Sequence, residues 1–74
     1  KENEYEKAEI QYFLANELLE TGEYSKAFLM FEEIYEKYQY PGVMGLLFCC
    51  HRSGYGTKID KEKSQFFFTL TKQN

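Results

Sequence analysis

Tyr24-Ser25-Lys26-Ala27-Phe28-Leu29-Met30-Phe31-Glu32-Glu33-Ile34-Tyr35-Glu36-Lys37-Tyr38 decides the fold class. Within it Tyr24, Ala27, Phe28, Phe31, Ile34, Tyr35 and Tyr38 recur at steps of three and four. That spacing gathers side chains on one face of an α-helix. Working upstream, Thr21-Gly22 breaks the pattern, and residues 5–20 before it are strong helix formers. This first helix carries two apolar stripes, one of Ala8, Tyr12, Ala15 and Leu19, the other of Ile10, Leu14 and Leu18. Working downstream, Tyr40-Pro41-Gly42 interrupts the chain, because proline biases its predecessor away from helical geometry and itself suits a first helical position. The following run, Val43 to Cys50, is apolar on nearly every side, as expected of a helix packed between neighbours. Ser53-Gly54-Tyr55-Gly56 ends it, and Asp60 is placed to cap a fourth helix through Lys63 and the apolar residues Phe66 to Leu70. A strand reading of 45–50 or 66–70 is open, since short apolar runs do not declare their period, but two isolated strands would have no sheet to join. The expectation is an all-α chain of two antiparallel helix hairpins.

Seventy-four residues leave room for one small module spanning 1–74. Aromatic content is high at 19%, seven Tyr and seven Phe, more than so small a body can hide, so some rings are expected to face a partner. The net charge of −3 argues against the basic footprint that nucleic-acid phosphates require, and no nucleic-acid partner is expected. Charge is also uneven: residues 1–37 hold ten acids against four bases, whereas 38–74 hold two acids against five bases. Without an apolar run near the length a bilayer demands, no membrane insertion is expected. Adjacent Cys49 and Cys50 cannot staple distant segments, which fits reduced thiols and a cytoplasmic location. The opening Lys1, in place of Met, suggests a piece of a longer protein.

The chain repeats itself. Helix, glycine turn, helix is followed by the same sequence of elements, with Ala27 answered 37 residues later by Ser64. Leu14-Ala15, Leu18, Gly22, Tyr24, Ala27, Phe31 and Ile34 alternate small and large in the order of a tetratricopeptide repeat, which residues 5–38 resemble. The family's early Trp is Gln11 here, and its closing Pro comes late, at Pro41. Residues 41–72 resemble a Sel1-like repeat through Gly54-Tyr55-Gly56, Asp60, Lys63-Ser64 and the aromatic pair Phe67-Phe68. Phe48 and His51 depart from that pattern, and two registers of the third helix stay open, one through Leu47 and one through Met44-Gly45 and Phe48. What the resemblance implies is a fragment of an α-solenoid.

It also implies a function. Such arrays bind protein partners, peptide or helix, along a groove lined by the first helix of each unit. Carried onto this chain, the groove takes Glu9, Tyr12, Phe13, Asn16, Leu19 and Glu20 from the first helix and Gly45, Leu46, Cys49, Arg52 and Ser53 from the third. Chaperone-docking members clamp a terminal carboxylate with Lys, Asn and Arg; only Asn16 matches, and Tyr12 stands where Lys is needed. An aromatic or basic-aliphatic ligand suits Tyr12, Phe13 and the acids better. If Ser64, Phe68 and Thr71 pack inward, Phe66 and Leu70 form an apolar edge for a next repeat or for self-association with a second copy. This makes the expected role a non-catalytic adaptor or scaffold, with homo-oligomerisation through that edge as the alternative.

Other chemistries find little support. Cys49-Cys50-His51 diverge by about 100° per residue on a helix and do not converge on one ion, so no metal is expected. A Cys nucleophile would need a base held by a third group, which one neighbouring His does not provide, so neither catalysis nor a cofactor is expected. Gly54-Tyr55-Gly56 follows a helix and lacks the Gly-Lys-Ser/Thr ending of a phosphate loop. Lys58, Lys61 and Lys63 form a small basic patch, read as solvated and secondarily as a contact for an acidic partner.

Overall fold

A computed structural model describes residues 4–72, which contain four α-helices and no strand: α1, Glu4–Glu20; α2, Tyr24–Tyr38; α3, Pro41–Ser53; α4, Lys61–Thr71. Both segments that could have been strands are helical. The ends follow local chemistry. After α1 the chain reverses at Gly22, with φ 90°, while the Glu23 N–H donates to the Leu18 carbonyl at 2.9 Å. Pro41 occupies the first turn of α3, and the Asp60 carboxylate accepts from the Lys63 N–H at 3.0 Å to cap α4. The end of α2 has a different device: Gln39 takes the left-handed conformation, φ 53°, and its N–H donates to the carbonyls of Ile34 and Tyr35.

Packing proceeds in chain order, α1 on α2, α2 on α3 and α3 on α4. Small residues set the spacing. Ala8, Ala15 and Ala27 are wholly buried, and against them lie Phe31, Ile34, Val43 and Leu47, none with any exposed surface. Each such large side chain contributes about 1.5–3 kcal/mol by leaving water. The Cα atoms span 40 × 31 × 15 Å. With helix axes typically 8–10 Å apart, a body 15 Å thick is little more than one or two helices deep, so both broad faces leave side chains in water.

Two expectations for α4 need correction. Ser64 is buried as anticipated, but the inward phenyl is Phe67 rather than Phe68, and Thr71 is exposed with its hydroxyl donating to the Phe68 carbonyl. Rings from two helices explain the choice: Phe67 meets Tyr35 of α2 at 5.2 Å and stacks on His51 of α3 at 5.7 Å. Phe68 instead lies against Phe48, 5.3 Å away. Leu70, expected on a bare edge, is half-buried and packs on the core, whereas Phe66 is exposed. On α3 the buried side chains are Val43, Leu47, Cys50 and His51, while Met44, Gly45 and Phe48 are half-buried.

The loop between α3 and α4 docks on the start of α2. Tyr55 stacks on Tyr24 with ring centres 4.7 Å apart, and Asp60 N–H donates to the His51 carbonyl at 2.9 Å, closing the loop at its base. Gly56 sits at φ 75°, and a Cβ there would overlap the Tyr24 carbonyl and crowd the Phe28 side chain at 2.8 Å. Gly45, by contrast, lies mid-helix with open space where its Cβ would be. Gly56→Ala is therefore expected to destabilise the chain by about 2–3 kcal/mol. Gly45→Ala should stabilise it by about 0.5–1 kcal/mol. Urea denaturation of the two variants checks both signs.

Candidate functional site

The residues nominated on α1 divide into two groups. Tyr12 is half-buried and turned toward the α2–α3 junction, where its ring lies 5.0 Å from Tyr40, which in turn lies 5.2 Å from Tyr5. A Cβ on Gly42 would come within 3.0 Å of the Tyr12 hydroxyl, so the ring lies close over the start of α3 and an added methyl there would displace it by a few tenths of an ångström. Side-chain hydrogen bonding with Tyr5, followed by burial, pushes the Tyr40 phenol up to about 12. The Asn16 amide donates to the Tyr12 carbonyl at 3.1 Å. Tyr12 and Asn16 are thus partly engaged within the chain. Phe13, 6.4 Å from Tyr12, is 64% exposed, Glu9 is half-buried and Glu20 is exposed. The α1 side remaining for a ligand is Phe13 between two carboxylates.

The third-helix nominees are less unified. Leu46 packs on the core, Gly45 is half-buried, and Cys49, Arg52 and Ser53 are exposed. The Arg52 guanidinium lies 5.8 Å from the Phe48 ring, while Lys72 covers Phe68 at 4.5 Å. Arg52 therefore belongs to an aromatic pair shared by α3 and α4, a grouping that the α1 nominees do not enter in any ring contact.

A larger surface was not nominated from sequence. On the outer flank of α1, Leu14, Leu18 and Met30 line a groove of about 570 Å³ whose remaining wall is Glu17, Glu20 and Thr21. Ile10 is 60% exposed and Leu14 50% exposed along this stripe. The second apolar stripe read on the first helix was the available signal. Glu20, nominated alongside Tyr12 and Phe13, also lines this groove.

Around exposed Phe66 the structure forms a smaller hollow of about 170 Å³ between α2, α3 and α4. Tyr35, Phe66 and Phe67 supply its rings, with Phe66 meeting Phe67 at 5.2 Å and 76°. Glu32, Glu36 and Lys63 also line it. His51 reaches it from α3, 3% exposed, stacked on Phe67 and edge-on to Phe28 at 5.3 Å, with no partner for its Nδ1. Burial, and then the charge of Lys63, holds the His51 pKa below its ordinary 6.5.

Cys49, Cys50 and His51 diverge as helix geometry requires: Cys49 is exposed while Cys50 and His51 are buried. Burial, with a smaller effect of Cys49, pushes the Cys50 thiol up to about 11. Among the described residues no three His, Cys, Asp or Glu side chains are grouped as a metal would need, and no helix is long and apolar enough to cross a membrane. No family model matches the chain, and no curated protein or solved structure shows significant similarity to it.

The His51 environment sets a pH dependence. A histidine whose folded pKa is depressed favours the folded state fully above its unfolded value near 6.5 and loses that advantage as pH falls below it. Melting temperature is therefore expected to drop between pH 7.5 and pH 5, and the drop should be shallower in His51→Phe, measured by circular dichroism in matched buffers.

Proposed function

We propose that this chain is a non-catalytic protein-interaction module, a pair of tetratricopeptide- and Sel1-like units that serves as an adaptor or scaffold for a peptide or helix. The observation that carries the reading is the surface of α1, where Ile10, Phe13 and Leu14 are each at least half exposed on a helix that already buries a separate face against α2. A monomeric domain ordinarily keeps such aliphatic and aromatic side chains scattered, and their clustering on one element marks a place for another molecule. Carboxylates Glu9, Glu17 and Glu20 border the cluster, which favours a ligand with basic and apolar side chains. The repeat reading is supported by the glycine turn inside each hairpin and by the sequential packing of the helices. Reduced Cys49 and Cys50 suit a cytoplasmic setting.

A second reading, homotypic assembly, is favoured by Phe66, which stays 52% exposed although Leu70 beside it is partly covered. Affinity capture separates the two. Phe13→Ala with Leu14→Ala, both at exposed sites, is expected to reduce recovery of at least one partner about fivefold or more relative to the intact chain, while Leu29→Ala changes nothing. Identical partner lists, together with self-association that Phe66→Asp abolishes in sedimentation equilibrium, would replace the first reading by the second.

A further inference from the structure

The hollow around Phe66 has walls of two kinds, aromatic and acidic. Three rings converge there, Tyr35 and Phe66 each standing roughly perpendicular to Phe67 at 5.2 Å. Beside them α2 presents Glu32 and Glu36, one turn apart, on the hollow's rim. The ion pairs among the described residues are Lys26 with Glu23 and Lys37 with Glu33, so neither rim carboxylate has a cation within bonding distance, Lys63 included. Aromatic faces and unpaired carboxylates around a small space attract the same thing, a cation with an apolar body.

We propose that this hollow is a binding slot for an arginine side chain presented by a partner protein, with the guanidinium resting against the rings of Tyr35 and Phe66 and donating to Glu32 and Glu36. Size allows it, because about 170 Å³ admits a guanidinium with part of its stem and little more. Chemistry selects guanidinium over a quaternary ammonium. The latter satisfies rings but has no hydrogen to donate, whereas the rim carries the Glu32 and Glu36 carboxylates, which pair with no cation among the described residues. A planar, weakly hydrated fork can stack and donate at once. Lys63 is the resident like charge and opposes entry, so the slot is tuned by one residue of α4 as well as by the acids of α2. This site lies apart from the α1 surface and stands or falls independently of it.

The test uses the intact chain and a small probe, N-acetyl-arginine methylamide, followed by NMR of the aromatic and backbone signals. Saturable shifts are expected at Tyr35, Phe66 and Phe67, with a dissociation constant on the order of millimolar, as befits a single side chain. Glu32→Gln with Glu36→Gln should weaken binding about fivefold or more, Phe66→Ala should weaken it comparably, and Lys63→Gln should tighten it. The exposed positions of Phe66 and Lys63 keep those variants informative if the double substitution perturbs the fold. The isosteric neutral probe, N-acetyl-citrulline methylamide, should not saturate. Absence of saturable shifts, equal response to citrulline, indifference to the rim substitutions, or preference for the trimethyl-lysine analogue would each overturn the assignment. Partner capture through Phe13 and Leu14 would be untouched by any of these results.

Discussion

The buried row of Ala27, Phe31 and Ile34 on α2 is the interaction on which the rest of the structure depends. This helix packs on α1 within its own hairpin and on α3 of the other, so the row helps to join the two hairpins. Alanine at 8, 15 and 27 lets the axes approach, and Phe31 fills the space thereby defined. The loop carrying Tyr55 and Gly56 reinforces the junction by lying on the first turn of the same helix.

Much of this was legible in the sequence because it is local chemistry. Spacing by three and four marked α2, Gly22 and Gly54 marked two helix ends, and Asp60 announced the start of α4. What could not be read was set by partners distant in sequence. All three of Phe66, Phe67 and Phe68 have the same propensity and hydrophobicity, and only the positions of Tyr35 and His51 on other helices select Phe67 for burial. Gln39 in a left-handed cap was invisible for a similar reason, since glycine and asparagine are the residues that usually signal that conformation.

The candidate surfaces show the same division. The nominated α1 residues do lie on one helix, but Tyr12 is partly occupied by Tyr40 and Gly42, a contact that hinges on the path of the chain around Pro41. The groove formed by Leu14, Leu18 and Met30 was foreshadowed only by the second apolar stripe of α1, because an amphipathic pattern reveals that a face is apolar and not whether a neighbour covers it. Among the described residues none covers it fully, since Ile10 and Leu14 stay at least half exposed. Acid is concentrated in the first half of the chain and base in the second.

The central claim, that α1 presents a surface for another protein, is tested most directly by site-specific photo-crosslinking. Phe13 and Leu29 are equally exposed at 64%, one on α1 among the clustered apolar residues and one on α2 outside them. A benzophenone side chain placed at position 13 should yield a discrete adduct with a partner protein, and the same group at position 29 should yield none. Equal adduct formation at both positions, or none at either under conditions of partner excess, would contradict the account.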